Sequence, residues 1–259
     1  MSLLDRKEHF EFGENWRDYA ATLDRPRIDQ AIAGLRRLLP EGLSGKTFLD
    51  IGCGSGLHSL AALELGAASV HAVDLDENSV AAARSTLTRF ADGRNWSVEQ
   101  RSVFDLAGRF DVVYSWGVLH HTGAMWPAID HAATLVGPGG LFAIALYTRT
   151  PHCDFWRVEK RFYSRAPAFV QAPMRWAYMA AYFVRDPRAV FNYKHMRGMN
   201  FSHDVHDWLG GYPYESASVE EVASRLARLG LEEVRTFAVP AGRGILGSGC
   251  SEYVYRRPR

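Results

Sequence analysis

Asp50, Gly52, Gly54 and Gly56 fall within a single short stretch, Phe48 to Gly56, that reads FLDIGCGSG. An apolar β-type run that ends in closely spaced glycines lets a ligand approach backbone N–H groups that side chains would otherwise cover. Asp50, two residues before the first glycine, narrows the kind of ligand. A dinucleotide fingerprint spaces its glycines G-x-G-x-x-G and keeps negative charge away from the pyrophosphate. Here the spacing is G-x-G-x-G and the nearest charge is negative, which suits a cationic ligand without phosphate. Asp74 closes the next β-type run, where a strand-end carboxylate can accept hydrogen bonds from both hydroxyls of a ribose. Singly, the glycines could be a tight turn and Asp74 a helix cap; each strengthens the ligand reading of the other.

Histidines supply the candidate bases. His120 and His121 directly follow a β-type run, Phe110 to Trp116, at the edge of the sheet where open α/β folds bind ligands. One of them facing a reacting group is the catalytic reading, since imidazole's unperturbed pKa of about 6.5 suits proton abstraction. The alternative is that His120 packs at the loop start and His121 satisfies backbone groups. A second cluster, His203, Asp204, His206 and Asp207, lies in NFSHDVHDWLGGYPY, Asn200 to Tyr214. Its i, i+3 histidines offer two metal ligands and no third, so no metal is assigned. His203 is read instead as a third catalytic candidate, on a lid hinged at Gly210-Gly211, with helix caps and a satisfied loop as the alternative.

The elements needed to position these residues are legible. From Lys46, β-type runs alternate with helical patterns, the signature of a parallel sheet wrapped by helices. Strands are expected at Thr47 to Ile51, Ser69 to Asp74, Trp96 to Arg101, Phe110 to Trp116 and Gly140 to Tyr147. A helix from Met125 to Val136 should stop at the Gly-Pro-Gly-Gly turn, read as a firm boundary. Leu231 to Pro240 and Ser251 to Arg256 read as closing strands, after a helix capped near Ser218. Residues 1–45 form a helical leader, 46–148 with 215–259 the ligand-binding domain, and 149–214 an inserted helical cap. The cap carries many aromatics and arginines, compatible with an apolar, anionic or lipid-linked acceptor, with peripheral membrane contact, or with a homodimer through Pro173 to Val184.

Composition sets outer limits. The chain has 259 residues, 47% hydrophobic and 23% charged, as in an ordinary globular protein long enough for one elaborated domain. A net charge of +1 gives no global reason to expect a nucleic-acid partner. Three separated cysteines encode neither a disulfide framework nor a zinc site, and the acidic N-terminal stretch is unlike a signal peptide. Both fit a cytoplasmic protein.

FLDIGCGSG, then VHAVDLD at Val70 to Asp76, FDVVYSWGVLHH at Phe110 to His121 and LVGPGGLFAIAL at Leu135 to Leu146 resemble, in order, the motifs of class I S-adenosylmethionine-dependent methyltransferases. The resemblance spans most of Lys46 to Leu146. It implies a Rossmann-like, seven-stranded sheet with helices on both faces, and S-adenosylmethionine as cofactor. Asp50, Gly52 and Gly54 would line the methionine part, with Cys53 in the same set; Asp74 would hold the ribose and Leu75 pack on adenine. Ser102 aligns with the family's acidic residue after the third strand, and the Val103 amide or Asp105 side chain would complete that end. Ser115 and Trp116 would lie beneath the methionine and the methyl. Phe10, Phe12, Trp16 and Tyr19 resemble the aromatic leader that closes over the cofactor in many such enzymes.

The implied activity is methyl transfer to a small-molecule acceptor, first a hydroxyl, of quinone, glycan, lipid or natural-product type. No D-P-P-Y-like tetrapeptide, Pro-Cys nucleophile or RNA-binding module points to nucleic acid. Competing readings are transfer of another sulfonium carbon, binding without catalysis, and a nicotinamide-dependent oxidoreductase, against which Asp50 counts.

Overall fold

The computed structural model describes residues 13–192, 201–240, 242 and 244–259. Two helices come first, α1 (Gly13–Ala21) and α2 (Arg25–Leu38). Asp24 caps α2 by accepting from the Arg27 amide, and Ile28, Ala31, Leu35 and Leu38 form its buried stripe. Then follow β1 (Thr47–Ile51), α3 (Leu57–Glu64), β2 (Ser69–Asp74), α4 (Glu77–Phe90), β3 (Trp96–Gln100), β4 (Phe110–Trp116), α5 (Met125–Thr134) and β5 (Val136–Tyr147). The chain continues through α6 (Cys153–Arg165), α7 (Ala168–Arg185), α8 (Pro187–Asn192) and α9 (Phe201–Gly210). It ends with α10 (Val219–Arg228), β6 (Glu232–Phe237) and β7 (Cys250–Arg256). The capping box expected at α10 is present, Ser218 and Glu221 exchanging side chain-to-amide bonds.

The strand order is β3-β2-β1-β4-β5-β7-β6, parallel from β3 to β5, with β7 antiparallel to both neighbours. This is the seven-stranded, helix-covered sheet expected from the sequence. The apolar cluster on one face takes in residues of α2, α3 and α4, and the other takes in residues of α5 and α10. The chain winds outward from β1 to β3, then returns to place β4 against β1. That reversal opens a crevice beyond the carboxyl ends of β1 and β4, the standard ligand position in such sheets.

One expectation needs correction. α5 stops at Thr134, but Gly137-Pro138-Gly139-Gly140 lies inside β5 rather than bounding it. Phe110 pairs with Val136 and Val112 with Leu141, so the glycine stretch forms an irregularity within the ladder. At Gly140 the backbones approach so closely that a Cβ would lie 2.9 Å from the Asp111 carbonyl oxygen. The glycines therefore serve close strand approach as well as turning.

Helices α6 to α9 occupy the stretch between β5 and α10. Their small core holds Cys153, Trp156, Tyr163, Val205 and Leu209, joined by Tyr214. Among the described residues no helix is long and apolar enough to cross a membrane.

Candidate functional site

The chain turns sharply after β1 because Gly52, Gly54 and Gly56 all have positive φ, at 77°, 52° and 76°. The amides of Gly52 and Cys53 donate to the Val73 carbonyl at 2.8 and 3.0 Å, tying the turn to β2. Asp74 at the end of β2 then grips both sides: Oδ2 accepts from the Gly54 amide at 2.9 Å and Oδ1 from the Asp76 amide at 3.0 Å. Asp76 caps α4 through the Asn78 and Ser79 amides. Each Asp74 oxygen keeps acceptor capacity beyond its amide.

Asp50 is buried at the end of β1, and its Oδ2 accepts from the Ser59 hydroxyl at 2.6 Å. Burial pushes its carboxyl up to about 7, with the nearby Asp74 adding to the rise and Ser59 opposing it. Burial likewise lifts Asp74 to about 6, against the pull of the Asp76 and Gly54 amides. Among the described residues no cation forms a salt bridge with either carboxylate. The Cys53 thiol is pushed well above its ordinary range by burial and by both carboxylates, which makes it a poor nucleophile.

Beside the turn lies a cleft of about 370 Å³ lined by Leu75, Gln100, Arg101, Ser102 and Asp105. Gln100 Nε2 donates to the Leu75 carbonyl at 3.0 Å, and Ser102 Oγ accepts from the Phe104 amide at the start of a 3-10 turn, Val103–Asp105. The Val103 side chain is buried in the core, and Val103 is not among the residues lining the cleft. Sequence reasoning missed Gln100 and Arg101; their place at the end of β3 was the available signal.

Ser115 is fully buried and donates to the Ile51 carbonyl at 2.9 Å, bracing β4 against the start of the glycine turn. Trp116 Nε1 donates to Glu252 Oε1 at 2.9 Å, and Glu252 forms an ion pair with Arg37 of α2. Neither Glu252 nor Arg37 could be found locally, since strand β7 and helix α2 lie far from Trp116 in the chain. The ring of Trp16 on α1 packs against Gly54, and Gly13 lies against Asp76, so this helix covers the turn. Phe10 and Phe12 lie outside the described residues.

The structure separates the two adjacent histidines, which sit on a 3-10 turn, Leu119–His121. His120 is fully buried, its ring tilted against that of Tyr147 at 3.9 Å between centroids, and its Nδ1 accepts from the Tyr147 amide at 3.4 Å. Burial, with His121 and Lys160 adding to it, depresses its pKa well below the usual histidine value, so its charge is held at zero. His121 is half-buried and donates Nδ1–H to the Pro213 carbonyl at 2.8 Å, which leaves Nε2 as the basic nitrogen. Its ring packs against Gly211, after α9. His203 lies on α9, and its side chain is outside the described set. His206 Nδ1 is engaged by the Tyr163 hydroxyl at 2.7 Å, a bond that ties α9 to α6.

Lys160, on the inner face of α6, was not anticipated. It is fully buried, with Nζ 3.6 Å from the centre of the Trp208 ring and 5.4 Å from that of Tyr214. Burial lowers the Lys160 ammonium and raises the neighbouring Glu159 carboxyl. Lys160 Nζ, both Glu159 oxygens, Trp208 Nε1 and His120 Nε2 make no hydrogen bond within the described protein. These atoms and the rings of Tyr147, Trp156, Trp208 and Tyr214 form the polar-aromatic interior between α6, α9 and the end of β5. Among the described residues no group of three or more His, Cys, Asp or Glu side chains could hold a metal ion.

A family model described as a methyltransferase domain matches residues 23–200. The chain is 36% identical over 120 residues to a ubiquinone biosynthesis O-methyltransferase of Pseudomonas paraeruginosa, covering 45% of this chain and 51% of that protein. It is 30% identical over 156 residues to 27-O-demethylrifamycin SV methyltransferase of Amycolatopsis mediterranei, covering 54% of each. The chain thus spans about half the length of the curated relatives it matches. Among solved structures it resembles a magnesium protoporphyrin IX methyltransferase from Synechocystis with bound S-adenosylhomocysteine. That match has TM-score 0.55 at 18% identity and covers 89% of this chain and 81% of the other, a likeness of fold.

Proposed function

Because this chain belongs to the methyltransferase-domain family, we propose that it binds S-adenosylmethionine at the Gly52–Gly56 turn and transfers the methyl group to a small-molecule hydroxyl. The observation that carries this reading is the pair of carboxylates, buried Asp50 and half-buried Asp74, beside a glycine turn, with no ion-paired cation among the described residues. Such a site repels the phosphates of a nicotinamide dinucleotide and favours a ligand bearing an ammonium and a sulfonium. Asp50 faces the charged methionine end, while Asp74 takes the ribose hydroxyls on the acceptor capacity its amide bonds leave. Leu75 and Ser102 border the adenine in the neighbouring cleft, together with Gln100 and Arg101. Gly52, Cys53 and Gly54 give backbone approach, Ser115 braces the turn, and Trp116 forms the floor under the methyl.

When bound, the cofactor supplies a methyl carbon activated by positive sulfur. The protein's tasks are then alignment and removal of one proton. His121 is the base in this reading: with Nδ1–H fixed on Pro213, Nε2 receives the acceptor's hydroxyl proton. With that proton held at Nε2, the acceptor oxygen would be ready to take the methyl group that the bound cofactor supplies. His120 supports the turn from within the core, and His203 belongs to the lid, residues 149–214, that encloses the acceptor. The curated relatives named as O-methyltransferases favour oxygen as the acceptor atom and quinone-like or natural-product hydroxyls as its setting.

The test is incubation with methyl-labelled S-adenosylmethionine and a panel of quinols, phenols, sugars, lipid-linked alcohols and amines, read by mass spectrometry. A product carrying one added labelled methyl group, formed with an equal amount of S-adenosylhomocysteine, is expected. Labelled product on amines alone would move the acceptor atom to nitrogen.

A further inference from the structure

Helices α6 and α7 divide their faces in an unusual way. On α6, Cys153, Trp156, Lys160 and Tyr163 point inward, while Phe155, Val158 and Phe162, at i, i+3 and i+7, stand exposed on the opposite side. On α7 no residue is buried. Phe169, Trp176 and Phe183 recur every seven residues along its outer face, with Phe169 79% and Trp176 71% exposed and Val184 beside them at 82%. Pro173, Ala177 and Ala180 fill the gaps in that stripe, which carries no charge. These seven side chains and Ile245 are the large exposed apolar residues of the described protein. Ile245 belongs to the same end, because its neighbours Gly244 and Leu246 accept hydrogen bonds from Trp156 and Tyr178.

The charges around this patch are as uneven as the apolar residues. Arg157, Arg161 and Arg165 run at i, i+4 and i+8 along one flank of the α6 stripe, Arg185 ends α7 and Arg188 lies in α8 just after it. With Arg175 they make six arginines, against the exposed aspartates Asp154 and Asp186, in a chain whose total charge is +1. Exposed apolar side chains concentrated on two helices that touch through Gln171 and the Tyr163 carbonyl, and through Trp156 and Tyr178, mark an interaction surface. A second copy docked face to face across a two-fold axis would bring two arginine flanks together. A bilayer with anionic headgroups does the opposite: it takes the aromatic stripe into the headgroup–acyl boundary and meets the arginines with negative charge.

We propose that the outer face of α6 and α7 is a docking surface for an anionic lipid bilayer, on which the protein rests without spanning it. Resting on the methyl-transfer reading, the docking brings the lid directly over an acceptor dissolved in, or anchored to, the membrane. Trp156 links the two sides, because its buried ring touches Trp208 in the interior while its neighbour Phe155 stands on the outer face.

Co-sedimentation of the full chain with vesicles tests this. Vesicles of mixed phosphatidylcholine and phosphatidylglycerol are expected to carry the protein down, and pure phosphatidylcholine or high salt to release it. The double substitution Phe169→Ser, Trp176→Ser is expected to weaken vesicle binding on the order of tenfold or more, while circular dichroism and S-adenosylmethionine affinity stay unchanged. Wild-type protein that remains in the supernatant, or a double variant that sediments equally well, overturns the proposal. So does a light-scattering dimer that becomes monomeric in the double variant without any vesicle binding, which assigns the face to a second copy. Cofactor titration on the same samples separates the two readings: cofactor binding without sedimentation defeats only the docking, and sedimentation without cofactor binding defeats only the methyl-transfer reading.

Discussion

Substituting His121 by alanine is expected to lower kcat by about 10²- to 10³-fold, the usual contribution of a positioned base, while changing cofactor affinity by no more than about twofold. The asymmetry follows from geometry. His121 is fixed through Nδ1 by Pro213 and packs on Gly211, whereas Asp50 and Asp74 are held by Ser59 and by the Gly54 and Asp76 amides. His120, one residue earlier, is expected to behave differently. It is buried, held neutral and packed against Tyr147, so His120→Ala removes core volume and costs roughly 2–4 kcal/mol of stability. Single-turnover kinetics and thermal unfolding on both variants separate the roles. A His121→Ala enzyme with unaltered kcat would remove this residue as the base, and a His120→Ala protein of full stability would contradict its structural assignment.

Asp50→Asn is expected to strengthen the ligand-free protein and weaken cofactor binding together. An unfolded aspartate has a pKa of about 3.9, whereas burial holds the folded carboxyl up at about 7. The folded state therefore binds the proton more tightly, so stability is full below about pH 4 and falls as pH rises toward 7. Above that, carrying the buried charge costs on the order of 3–4 kcal/mol. Asparagine keeps the shape and the Ser59 contact without the charge, so a gain of about 2 kcal/mol at pH 8 is expected after relaxation. The same change removes a charge from a cation's site and should cost about 30-fold in S-adenosylmethionine affinity. Melting curves at pH 5 and pH 8, without ligand, read the first effect: wild-type stability should drop between them, and the variant's should drop less, by the share that Asp74, itself lifted to about 6, still contributes. A variant less stable than wild type at pH 8, or one that binds as tightly, defeats this electrostatic account.

The half of the site built from contiguous chain was legible in advance. FLDIGCGSG forms strand and turn and leads straight into α3, and Asp74 ends the very next strand, so spacing alone brought both carboxylates to one crevice. Trp116 was legible from its motif, but its partner Glu252 and the Arg37 that pairs with Glu252 come from distant elements and carry no pattern, because a partly buried ion pair between a helix and a strand leaves no periodic trace. Adjacent histidines could not be told apart either, since a 3-10 turn sends neighbouring side chains in different directions and only tertiary packing decides which is buried. Lys160 fits the inner stripe of α6 by position but not by type, so a reading from polarity places it on the surface. The Gly-Pro-Gly-Gly stretch misled for the reverse reason: local turn chemistry favours a break, yet pairing with β4 and β7 carries the strand through.

The most direct measurement is calorimetric titration of the purified protein with S-adenosylmethionine and S-adenosylhomocysteine, with NAD as control and Asp74→Ala as variant. Micromolar binding of both adenosyl ligands, none of NAD, and a loss of about 100-fold in the variant are expected, since that carboxylate both takes the ribose and fastens the Gly54 amide. Absence of adenosyl binding, or NAD binding at similar affinity, would contradict the account and leave the glycine turn with a purely architectural role.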